Sequence, residues 1–169
     1  GPGAVRARPR TADDRGIRDR QSRRVVRRAL FFGSPHVIPT PMSLFETAEQ
    51  LLSEDGYIIV GVPNYESLST QVHETFQNEA LRHLRPPECL HLFTEDSLEH
   101  ALDQVGFEPM AGWYFGLDFY ELLTHLSMNY DGFQGSPVYE FLLDNLDEFQ
   151  KVVDEQKRND HMLVVARRQ

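Results

Sequence analysis

The stretch from Ser43 to Ser67 leaves this chain few ways to fold. Leu44, Ala48, Leu51 and Leu52 recur at helical spacing behind Thr40, a candidate N-cap, and Pro41, which suits a first helical turn. The helix is expected to run to about Ser53, with Glu54-Asp55-Gly56 making the turn. Tyr57 to Val62 is then a continuous apolar run, the pattern of a strand covered on both faces, and Pro63-Asn64 stops it. A helix feeding a strand whose carboxyl end opens into a polar loop is one unit of an α/β protein. In open α/β sheets, ligands bind at that end.

The segments downstream repeat the alternation. Thr94 caps a helix in which Glu95 and Asp96 suit the positive end of the dipole, Leu98, Ala101, Leu102 and Val105 form the apolar stripe, and Gly106 provides the stop. Phe107 to Phe115 reads as a strand, with Trp113, Tyr114 and Phe115 expected in the core. Asp118 with Glu121 resembles a capping box opening a short helix, and Ser136-Pro137 opens another whose apolar side continues through Phe141, Leu142, Leu146, Phe149, Val152 and Val153. His161 to Ala166 is a final strand, Val25 to Phe32 a first one interrupted by Arg27 and Arg28, and Glu66 to Pro87 a loop with some helix.

Charge divides the chain. Residues 1–40 hold ten arginines against Asp13, Asp14 and Asp19, while the remaining 129 residues hold seven basic and 23 acidic side chains. Residues 1–28 have almost no hydrophobic periodicity and are expected to form a disordered, arginine-rich leader ahead of one domain spanning 29–169. A basic arm of this kind could contact phosphates, but it has no interleaved aromatics and its body is acidic, so nucleic acid is not the expected partner. No apolar run approaches the roughly 20 residues that cross a bilayer. The lone cysteine, Cys89, excludes a disulfide framework, and a reducing compartment, the cytoplasm, is the expected location.

The series His36-Val37 with Pro41 a few residues on, then the helix, acidic glycine turn and strand ending in Pro63-Asn64, then His91-Leu92-Phe93-Thr94, then Ser97-Leu98 through Val105-Gly106-Phe107, resembles the C-terminal half of class I S-adenosylmethionine-dependent methyltransferases, most of all the small-molecule branch. The resemblance covers about residues 34–115 and the last strand. It implies an incomplete Rossmann-like α/β sheet: the family's later strands with a closing antiparallel pair, plus additional helices. The Tyr57–Val62 strand would be an interior member of a mostly parallel sheet. The family builds its cofactor site on a glycine-rich loop and an acidic residue in its first three strands, and neither has a place here. About 30 residues before Ala29 are too few for two βα units. The sequence therefore resembles the second half of a methyltransferase preceded by unrelated or frame-shifted sequence, with the S-adenosylmethionine site mostly absent.

By the same resemblance, His36 and Val37 would lie beside the cofactor, and Asn64, Tyr65, His91 and Phe93 would face a small-molecule methyl acceptor. His91 is the one candidate for a catalytic role, with anchoring of its loop as the alternative. Cys89 and His91, two apart, show no third group to complete a nucleophilic arrangement. His83, His91 and His100 have no metal-binding spacing. Three readings stay open: a methyltransferase half, a working methyltransferase that borrows a cofactor site, and a non-enzymatic interaction module with a basic arm. Without its opening strands, the sheet would expose an edge and apolar faces that invite self-association.

Overall fold

A computed structural model of the protein describes residues 26–76 and 86–169. The described chain runs β1 (Val26–Phe32), α1 (Pro41–Leu51), β2 (Leu52–Pro63), α2 (Leu68–Phe76), α3 (Glu95–Asp103), β3 (Phe107–Phe115), α4 (Asp118–Asn129), α5 (Pro137–Asp144), α6 (Leu146–Glu155) and β4 (His161–Arg168). The expected leader falls largely outside the described residues, and Val26, Arg27 and Arg28 are already the first residues of β1.

The four described strands form one sheet in the order β1-β2-β4-β3. β2 is interior, as its apolar run predicts. It pairs in parallel with β1, while the pairings β2 to β4 and β4 to β3 are antiparallel. The described sheet is therefore mixed rather than mostly parallel, because β4 returns between β2 and β3.

α1 and α3 cover a single face of the sheet. Phe45 and Ala48 of α1 and Leu98 and Leu102 of α3 pack with Ile58, Val60, Val62, Phe107, Met162, Val164 and Ala166 in one cluster of buried side chains. The opposite face departs from the expected double coverage. Its cross-strand rows are Leu30, Ile59 and Val165, then Phe32, Gly61, Leu163 and Trp113. Leu30, Phe32 and Trp113 are each more than half exposed, so Trp113 is a surface residue of this face rather than core. Gly61 permits the arrangement, since a Cβ there would stand 2.5 Å from the Phe32 ring that lies across it.

Local signals explain most element boundaries. Thr94 Oγ1 accepts the Ser97 N–H at 3.1 Å while Ser97 Oγ accepts the Thr94 N–H at 2.9 Å, a reciprocal cap on α3. Gly106 turns the chain into β3 at φ +81°, a conformation open to glycine. Asp55, at φ +60°, sits where the β1–β2 register jumps from Val26 opposite Leu52 to Arg28 opposite Tyr57, so the acidic turn bulges from the start of β2.

Two further expectations give way. The helix opening at Ser136 does not continue through Val153; it breaks at Asn145, whose side-chain amide donates to the Phe141 carbonyl at 2.8 Å and ends α5. Asp118 does not cap its own helix either: Leu117 is the N-cap, without a side-chain bond, and Asp118 turns inward to another partner.

Candidate functional site

Three loops converge at the carboxyl ends of β1 and β2. Gly33, just after β1, donates its N–H to Gly61 O at 3.1 Å. The carbonyl of His36 accepts from Leu90 N at 2.7 Å and His91 N at 3.1 Å, tying the loop after β1 to the segment before α3. That segment also runs beside the end of β2, where Asn64 and Phe93 form a parallel bridge and Tyr65 N donates to Phe93 O at 2.9 Å.

Asn64 is the pin of this junction. It is 3% exposed, its Nδ2 donates to Lys157 O at 3.1 Å and Asn159 O at 3.0 Å, and its Oδ1 accepts from Glu66 N at 3.0 Å. A side chain with both amide protons and its oxygen engaged by backbone holds loops in place. Phe93 likewise belongs to the core cluster, at 8% exposure.

Tyr65 and His91 line a pocket of about 390 Å³ together with Pro86, Cys89, Leu90 and Leu92. Of the residues nominated from sequence, the structure brings Tyr65 and His91 to the pocket, puts Asn64 and Phe93 beneath it, and joins His36 to its wall through backbone. Val37 is exposed. The described wall holds no carboxylate, lysine or arginine side chain, so it suits a largely apolar molecule.

The polar groups of the pocket differ in availability. The Tyr65 hydroxyl donates to Glu74 Oε1 at 2.9 Å, and that bond to a carboxylate holds the phenol pKa above its ordinary value. Cys89 is buried and its thiol donates to the His91 carbonyl at 3.3 Å; burial pushes its pKa up, the opposite of what a nucleophilic thiolate requires. His91 Nε2 is buried and meets no hydrogen-bond partner among the described residues. The residue lines the pocket, so a ligand hydroxyl that turned the ring could complete this missing bond.

A second polar cluster, across Asn64, had no forewarning in the sequence. Asn64 N donates to Asp160 O at 2.7 Å, Asp160 N donates to Asp118 Oδ2 at 3.0 Å, and His161 Nδ1 lies 3.2 Å from Asp160 Oδ1. Asp118 and Asp160 are both buried, and a Cβ at Gly116 would come within 2.4 Å of an oxygen of each. Burial first, and the Asp160 charge second, raise the Asp118 carboxyl to about 7. The partners are 42 residues apart, so only the fold could reveal them. Among the described residues, no group of three or more His, Cys, Asp or Glu side chains is placed to hold a metal ion.

Known proteins share the fold that carries these residues. A family model described as a methyltransferase domain matches residues 28–111. An S-adenosylmethionine-dependent methyltransferase from Thermotoga maritima superposes with a TM-score of 0.50 at 13% identity, covering 86% of this chain and 57% of its own. Another from Archaeoglobus fulgidus superposes at 0.50 and 16% identity, covering 86% and 60%. Identities this low speak for the fold alone, and the chain spans roughly three fifths of the length of these two solved structures. No curated protein sequence matches. Residues 28–111, which take in most of β1, all of β2 and the start of β3, thus belong to a methyltransferase domain family, and the fold is that of class I S-adenosylmethionine-dependent methyltransferases.

Proposed function

We propose that this chain is the acceptor-side half of an S-adenosylmethionine-dependent methyltransferase and that its small-molecule substrate binds between Tyr65 and His91. The observation that carries the reading is the convergence of the loops after β1, after β2 and before α3 on one largely apolar pocket at the carboxyl end of a parallel strand pair.

The described residues do not make a cradle for the nucleoside. The single glycine following β1, Gly33, has its N–H spent on Gly61 O, and the described sheet has no strand beyond β1 to carry a glycine-rich loop or a ribose-binding carboxylate. His36 and Val37 would contribute one flank. No step is routed through the cofactor here. The chain's own contribution is to orient the acceptor, exclude water and offer His91 Nε2 to an acceptor hydroxyl, as hydrogen-bond partner or proton acceptor.

The same reading places the protein in the cytoplasm, supported by the free thiol of Cys89, and makes the open face at Leu30, Phe32 and Trp113 a surface for self-association. No described helix is long and apolar enough to cross a membrane. Two titrations test it. Phenol and catechol, as neutral probes, should give saturable NMR shifts confined to Tyr65, Leu90, His91 and Leu92; shifts centred elsewhere, or none at millimolar probe, would remove the acceptor assignment. Calorimetry with S-adenosylmethionine should show no tight binding, and a saturable heat at micromolar ligand would refute the half-domain reading.

A further inference from the structure

Helix α5 is only partly covered by the described residues: Tyr139 meets the Phe133 ring at 5.6 Å and Phe141 the Phe149 ring at 6.5 Å, each edge to face. Five of its eight residues are Val138, Tyr139, Phe141, Leu142 and Leu143, yet it buries none of them. Val138 and Phe141 are about 60% exposed, and on α4 Tyr120 is half exposed and Met128 is at 80%. Between the two helices lies a groove of about 250 Å³, lined by Tyr120, Met128, Tyr139 and Leu143 together with the polar side chains of Thr124, Ser127 and Gln134. Exposed aromatic and aliphatic side chains gathered on two neighbouring helices, interleaved with hydroxyl and amide groups, mark an interaction site.

Charge selects what can cover it. Leaving out the buried Asp118, residues 119–155 carry eight carboxylates against the single Lys151. Two such surfaces face to face would repel, and so would an anionic bilayer. A basic occupant gains on both counts, and arginine fits best: its planar guanidinium stacks on tyrosine and phenylalanine faces while its N–H groups fork onto carboxylates. One stretch of the chain has this chemistry. Residues 1–25 hold eight arginines and three aspartates, and they join β1 at Val26. Twenty-five residues reach up to roughly 80 Å when extended, so length does not prevent contact.

We propose that the arginine-rich segment 1–25 docks in cis on the α4–α5 face, its guanidinium groups lying on Tyr120, Tyr139 and Phe141 between Glu140 and Asp144. The site is separate from the pocket at His91 and does not depend on its assignment.

Methyl NMR of the full chain tests this, with Met128 as the reporter and the half-exposed Met110 of β3 as the control. Docking predicts that the Met128 methyl resonance moves when salt is raised from about 20 to about 500 mM, because screening releases exposed ion pairs. The Arg15, Arg18, Arg20, Arg23 and Arg24→Gln variant should show the high-salt position already at low salt, with Met110 unmoved in both. A Met128 resonance indifferent to salt and to the variant overturns the proposal. So does a Met128 shift that tracks protein concentration over about a tenfold range, which would make a second copy the occupant.

Discussion

The covered face of the sheet and the helical insert between β3 and β4 are stabilised by different means. On the sheet, α1 and α3 each bury two apolar side chains completely or nearly so, and the strands answer with Ile58, Val60, Val62, Phe107 and Met162. In the insert, α5 buries nothing and α6 buries Val153 alone, while α4 buries Asp118, Leu123 and His125. The insert is held by a few specific contacts: the Phe119 and Phe149 rings at 4.7 Å, Phe119 N donating to Gln150 Oε1 at 3.0 Å, and Asp118 receiving Asp160 N. Hydrophobic burial makes the sheet robust. The insert depends on polar groups that pH and neighbouring surfaces can disturb.

The largest expected contrast is between aromatic truncations in the two regions. Phe107 is fully buried, and Phe107→Ala should cost about 3–5 kcal/mol through lost burial and the cavity left behind. Phe141 stands about 60% exposed, and Phe141→Ala should stay within about 0.5 kcal/mol. Urea unfolding of both variants measures the difference. Equal losses would mean that the insert is packed as tightly as the sheet.

Next in size is the pH response of the contact between Asp118 and Asp160. The Asp118 carboxyl is raised to about 7 in the folded chain, so between its ordinary value near 4 and 7 the native state holds a proton that the unfolded state has released. Stability from this group is therefore present at low pH and lost as pH rises towards 7, by up to about 4 kcal/mol at about 1.4 kcal/mol per unit. Asp118→Asn can still accept the Asp160 N–H but does not titrate. Its stability relative to the wild type should rise from about pH 5 to about pH 8, as read by urea midpoints. A constant gap would show that Asp118 is ionised throughout.

What the sequence disclosed follows the range of the interactions. β2, α3 and β3 could be bounded from local pattern because their determinants are local: an apolar run, the Thr94 cap and the Gly106 turn. The break at Asn145 was local too, a side chain bonding four residues back, but the apolar stripe running through it hid the signal. Asn64 was nominated for substrate by resemblance; its partners Lys157 and Asn159 are more than 90 residues away, and only the return of β4 beside β2 brings them near. Asp118 misled for the opposite reason, since a plausible local partner in Glu121 concealed a distant one in Asp160. Tyr65 and His91 were reached by resemblance, and the pocket between them depends on the bonds from Leu90 and His91 to the His36 carbonyl, which no spacing encodes.

The smallest effect isolates context from chemistry. Thr94 caps α3 by accepting Ser97 N at 3.1 Å, and Ser136 caps α5 by accepting Tyr139 N at the same distance. Removing either hydroxyl deletes the same kind of bond, worth about 1 kcal/mol to a helix. Thr94→Ala should register in full on global unfolding, because α3 cannot fray without exposing Leu98 and Leu102, which are completely buried. Ser136→Ala should leave the global midpoint almost unchanged, since α5 buries nothing that unfolding of its first turn would expose. Its loss should appear instead as faster amide exchange confined to residues 137–144. Equal shifts in the two global midpoints would mean that α5 unfolds only with the sheet, and the insert would then be a cooperative part of the domain.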